Sequence, residues 1–123
     1  MNREKYLAEA LRLYLKAPDT PARASRRDLR IAADLYRQGV RIEELAHAIR
    51  LATLRRRANG LPTEAIHSLA YYRAVLQRLS DDDLHPDYVH YIRQKHDGLR
   101  ITDHAETAKP RLRSQNPALL GRR

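Results

Sequence analysis

The chain contains no cysteine, no tryptophan and no phenylalanine among its 123 residues. Without cysteine there is no disulfide framework and no zinc site of the cysteine-containing kinds, which suits a reducing compartment. Seven tyrosines carry all of the aromatic surface, so tyrosine must fill any aromatic core position. Residues that favour strands are sparse, while leucine and alanine are abundant, and this balance points to an all-α fold. No apolar run approaches membrane-spanning length, and the opening Met-Asn-Arg-Glu-Lys-Tyr lacks the apolar core of a signal peptide. The expectation is a cytoplasmic protein without membrane association.

Lysine is also scarce. Four lysines stand against twenty arginines, and the formal net charge is +9. Arginine presents a planar fork of donors that grips phosphate at two points and stacks on bases, where lysine offers a point charge. A short, basic, arginine-rich chain therefore reads as a nucleic-acid-binding protein.

Periodicity and breakers predict a compact bundle of four or five helices, residues 1–98, followed by a flexible basic tail, residues 99–123. The first helix spans about Arg3 to Lys16 and stops at Pro18 and Pro21. Ser25 and Asp28 form a capping pair for a second helix ending near Gln38, with Gly39 as its C-terminal cap. Leu29, Ala32, Ala33 and Tyr36 mark its expected core stripe. The third helix, about Arg41 to Ala58, carries Ile42, Leu45, Ala46, Ile49 and Ala52 on one face and Leu51 and Leu54 on the other. Such a helix sits centrally in a bundle or uses its second face in a homodimer. Asn59-Gly60 and Pro62 end it. A fourth helix capped by Thr63 runs to Leu79, burying Ile66, Leu69, Tyr72, Leu76 and Leu79. Pro86 opens a fifth, with Tyr88, Val89, Tyr91 and Ile92, that ends at Gly98.

The candidate phosphate contacts are Arg23, Arg26, Arg27, Arg30 and Arg37. On an ideal helix Arg26, Arg30 and Arg37 fall within about 40° of one another. Arg50, Arg55, Arg56 and Arg57 add charge to the third helix, where the helix dipole by itself favours cations at the C-terminus. Lys109, Arg111 and Arg113, with Arg122 and Arg123, form a basic tail suited to tracking a backbone. The bland alternative is a solvated polar face and an idle terminus. Tyr71, off the apolar stripe, is a candidate stacking residue, and Tyr88 and Tyr91 are weaker ones.

Helix two, Gly39-Val40 and helix three have helix-turn-helix spacing, but Glu43 and Glu44 at the start of the would-be recognition helix repel phosphate, which favours a plain helical hairpin. His85, Asp87 and His90 with Asp81 to Asp83, and the later His96-Asp97 and Asp103-His104, lack the spacing of a zinc hydrolase. No motif implies an enzyme, a metal or a cofactor. A protein-interaction adaptor, docking through Leu51 and Leu54, is the main rival to nucleic-acid binding.

The run from Gly39 to Ile49, Gly-Val-Arg-Ile-Glu-Glu-Leu-Ala-His-Ala-Ile, followed by Ile66-His-Ser-Leu-Ala-Tyr-Tyr72, resembles the helical C-terminal domain of DnaD-type replication-initiation proteins. Tyr72 and Leu76 stand at the first two positions of that family's Tyr-x-x-x-Ile-x-x-x-Trp pattern, with Ser80 at the third. The stretch from Tyr14 through Arg57 is also similar to small bacterial proteins of replication and mobile-element regions. These resemblances imply an accessory, DNA- or RNA-associated role.

Overall fold

Each helix begins and ends where its sequence satisfies or withholds backbone hydrogen bonds. The computed structural model describes residues 1–59 and 65–106, the stretch 99–106 as backbone alone. Helix α1 (Arg3–Lys16) is capped by Asn2, whose side chain accepts the Lys5 N–H. Helix α2 (Arg26–Arg37) carries a complete capping box: Asp28 N–H donates to the Ser25 hydroxyl, and Ser25 N–H donates to the Asp28 carboxylate. Its far end closes as a Schellman motif. Gly39 N–H reaches the Tyr36 carbonyl and Val40 N–H the Leu35 carbonyl, with Gly39 at a φ of 78°.

Helix α3 (Ile42–Ala58) opens with the Glu44 carboxylate accepting the Arg41 N–H at 2.9 Å. Helix α4 (Ala70–Arg78) is shorter than the spacing predicts, because residues 65–68 are not helical. There Ile66 donates its N–H to the Asp19 carbonyl at 2.8 Å instead of to a helical turn. Gly60, Pro62 and the expected cap Thr63 lie outside the described residues. Helix α5 (Pro86–Glu106) begins at the proline, as expected, but passes through Gly98. A lone glycine costs a helix only about 1 kcal/mol relative to alanine, and no second breaker follows until Pro110. The tail from residue 107 onward lies outside the described residues.

Met1–Arg93 forms one compact unit, and Gln94 onward belongs to a second. In the first, α1, α2, α3 and α4 surround a core of Tyr6, Leu7, Ala10, Tyr14, Ile31, Ala32, Leu35, Leu45, Ile49, Ile66, Leu69 and Tyr72. Tyrosines supply its aromatic contacts, with Tyr6 against Tyr36 at 5.2 Å and Tyr14 edge-on to Tyr72 at 6.2 Å. In the second unit, His96 lies 4.0 Å from Asp97.

Two expectations about the core are corrected. On α2 the buried residues are Asp28, Ile31, Ala32, Ala33 and Leu35: Ala32 and Ala33 are buried as expected, whereas Leu29 is 46% exposed and Tyr36 half-buried. The helical period holds, but at the first turn the inward position belongs to a hydrogen-bonded aspartate rather than to Leu29. On α3 the second face is itself partly packed. Leu51 is 1% exposed and Leu54 half-buried, and the buried His47 on the same helix donates from Nε2 to the Asp83 carbonyl at 2.7 Å. Tyr88 packs edge-on against the His47 ring. Helix α3 is therefore central to its unit, the first of the two placements that its pattern allowed. Leu76 and Leu79, expected in the core, are half-buried.

Candidate nucleic-acid interface

The N-terminal half of α2 presents a concentrated positive surface. Arg26, Arg27 and Arg30 are exposed on this helix, and Arg23 is exposed in the segment leading into it. None of the four has an ion-pair partner among the described residues. Asp28 is the only acid between Thr20 and Ala33, and it is 1% exposed. Its Oδ2 holds the Ser25 N–H, while its Oδ1 accepts the Leu69 N–H at 2.9 Å and the Ser68 hydroxyl at 3.3 Å. Burial works against ionising this carboxyl, but the Ser25 and Leu69 N–H groups and the two serine hydroxyls outweigh it and hold its pKa below the usual range. The one acid within this stretch is turned inward and held by backbone donors and serine hydroxyls, and Asp34, one turn beyond Arg30, pairs with Arg37.

Helix electrostatics make that placement informative. A helix N-terminus carries partial positive charge, so cations in the first turn are disfavoured by roughly 0.3–1 kcal/mol each. Arg26 and Arg27 occupy that first turn. The dipole thus disfavours these two arginines, whereas it favours Arg37 at the end of α2 and Arg55, Arg56 and Arg57 at the end of α3.

The remaining candidates divide by what they touch. Arg37 pairs with Asp34 one turn back. Arg55 reaches Asp83 at 3.5 Å. Arg56 pairs with Asp19 at 3.2 Å, with its side chain only 20% exposed, and its guanidinium lies 5.6 Å from the Tyr71 ring centroid. Tyr71 meets Tyr72 edge-on at 5.2 Å. Both thereby join Asp19, an aspartate at positive φ, in a clasp between the α1–α2 loop, α3 and α4. Arg56 and Tyr71 are in the first place packing residues. Arg50 is half-buried and Arg57 exposed on α3. Lys109, Arg111 and Arg113 lie outside the described residues.

No cluster of three or more histidine, cysteine or acidic side chains suited to a metal occurs among the described residues. Asp83 instead caps the α4–α5 turn, exchanging hydrogen bonds with Ser80 in both directions. The Ser80 N–H and hydroxyl hold its carboxyl below the usual range, aided by the Arg55 charge. No helix among the described residues is long and apolar enough to cross a membrane.

Sequence reasoning missed the second function of Asp28, its reach across to α4. The signal was present in the stripe formed by positions 28, 31, 32 and 35, which satisfies helical spacing as well as the stripe that begins at Leu29. The architecture defines an all-α helical protein with an arginine-faced helix. No protein-family model matches the chain, and neither a curated protein nor a solved structure matches it.

Proposed function

We propose that this protein is a non-enzymatic accessory factor that holds nucleic acid by its phosphate backbone, with Arg23, Arg26, Arg27 and Arg30 as the principal contacts. The observation that carries this reading is the inward turn of Asp28, which leaves the stretch from Arg23 to Arg30 with four exposed arginines and no exposed acid within it. Two of them stand where the helix dipole disfavours them, so the dipole gives no reason for their presence. Arg37, Arg50, Arg55 and Arg57 add to the surrounding positive field. Backbone contacts of this kind fix position and carry little sequence information. The resemblance to DnaD-type and mobile-element proteins supports a place in bacterial replication or mobile-element biology, in the cytoplasm.

Fluorescence anisotropy across a salt series, with single-stranded DNA, duplex DNA and structured RNA, tests this reading. The logarithm of affinity should fall linearly with the logarithm of salt concentration. Absence of binding to all three at low salt would overturn it.

A further inference from the structure

Asp28 and Leu29 stand in the reverse of the places their chemistry would assign: the aspartate is 1% exposed and the leucine 46%. Neighbouring residues of a helix point about 100° apart. The bonds that hold Asp28 inward, from the Ser25 and Leu69 N–H groups and the Ser68 hydroxyl, therefore keep Leu29 outward. A single exposed leucine is ordinary by itself. This one differs in that no other leucine, isoleucine or valine is exposed in residues 1–59 and 65–98.

Its place on α2 gives that exposure a use. Arg26 precedes Leu29 by three residues and Arg30 follows it directly, and both are exposed. Neither has an ion-pair partner among the described residues. Side chains three residues apart are neighbours on a helix surface, with Cβ atoms about 5–6 Å apart. On an ideal helix Arg26 and Arg30 share one side, with Leu29 about 60° to one flank of that pair and Arg27 about 60° to the other. A strand whose phosphates lie on Arg26 and Arg30 thus has an aliphatic side chain along one edge. Leucine offers nothing to a phosphate. It offers apolar contact to a base, above all to the 5-methyl group of thymine.

We propose that Leu29 is the base-contacting residue of this surface. An unpaired thymine of single-stranded DNA, with the neighbouring phosphates held by Arg26 and Arg30, turns its methyl edge onto the Leu29 side chain. This rests on the phosphate-contact reading above and adds base preference to it, since phosphate contacts carry no sequence information directly. Bases of a single strand are free to turn aside, whereas those stacked in a duplex are not. The surface therefore favours single-stranded DNA, and RNA, whose uracil lacks the methyl group, binds less tightly.

Fluorescence anisotropy with the full chain, using oligothymidine and oligodeoxyuridine of equal length, isolates the methyl group, because both strands carry the same phosphates. The unmodified protein should bind oligothymidine about two- to fivefold more tightly, the scale of one buried methyl group. Leu29→Ala should lower oligothymidine affinity about three- to tenfold and remove the preference. Its salt slope and thermal midpoint should stay nearly unchanged, because no phosphate contact is lost and alanine is a strong helix former. Leu29→Met keeps an apolar side chain of similar size and should keep the preference. Equal affinity for the two strands, or a preference that survives Leu29→Ala, would overturn the base contact while the arginine reading stands. Absence of binding to either strand at low salt would overturn both.

Discussion

The carboxylate of Asp28 accepts the backbone N–H of Leu69 at 2.9 Å, joining the first turn of α2 to the start of α4 across 41 residues of sequence. The same side chain closes the capping box of its own helix. One buried acid thus joins two helix N-termini and offers the arginines beside it no surface counter-charge of its own.

Asp28→Ala should destabilise the fold by about 2–4 kcal/mol, because the cap is lost and the buried Leu69 N–H is left without an acceptor. Asp28→Asn keeps one carbonyl acceptor and should cost clearly less. Urea denaturation of both variants measures the difference. Equal losses would mean that charge, rather than hydrogen bonding, dominates at this site.

Acid should weaken the fold through the same group. Its folded pKa lies below the unfolded value of about 3.9, so its contribution is complete above about pH 4 and is lost as pH falls through the folded value. Asp83 is shifted in the same direction and contributes with the same sign. Stability measured from pH 6 down to pH 2 should fall less steeply in Asp28→Asn than in the unmodified protein. Parallel curves would exclude Asp28 as a source of acid sensitivity.

The arginines should separate into two groups. Replacing Arg26, Arg27 and Arg30 together by glutamine should reduce the salt slope of nucleic-acid binding by roughly two to three and leave the thermal midpoint nearly unchanged. Arg56→Ala should do the reverse, lowering stability by about 1 kcal/mol through loss of the Asp19 pair and the Tyr71 contact. A large loss of affinity with intact stability in Arg56→Ala would place Arg56 in the interface instead.

Tyr14→Phe should be neutral or stabilising by up to about 1 kcal/mol. The Tyr14 hydroxyl is buried without a hydrogen-bond partner, and burial, with the Asp28 charge, pushes its pKa up to about 12. Removing it deletes an unpaired polar group and keeps the ring edge against Tyr72. A clear loss on thermal denaturation would reveal a partner for the hydroxyl.

Gly39, in the turn after α2, and Gly98, within α5, should respond in opposite directions. Gly39→Ala places a side chain at a φ of 78° and should cost about 1 kcal/mol. Gly98→Ala meets open space inside a helix and should raise helicity by circular dichroism.

Much of this fold was legible in the residues. Proline at 18 and 86, the Ser25–Asp28 pair and Gly39 each act within a few residues of chain, and each set a helix boundary where expected. Errors arose where tertiary contacts decided the outcome. Ile66 leaves the helical pattern because the Asp19 carbonyl, distant in sequence, takes its N–H. Local spacing favours Leu29 as the inward residue, and no local rule shows that an aspartate can hold the core position when Leu69 and Ser68 arrive to meet it. The arginine face was legible from spacing alone, but spacing could not distinguish Arg26 from Arg56. The partners of Arg56, Asp19 and Tyr71, lie on other elements.

The two-sided burial of α3 has a further consequence for how the first unit comes apart. Leu45 and Ile49 look into the tyrosine core, while His47 faces Asp83 and Tyr88. Loosening either neighbour uncovers this helix, so partial opening carries a large share of the cost of complete opening. The amides of α3 should accordingly be the slowest in Met1–Arg93 to exchange with solvent, at rates set by global unfolding. Changes in the exposed arginines of α2 should therefore leave these exchange rates nearly unchanged.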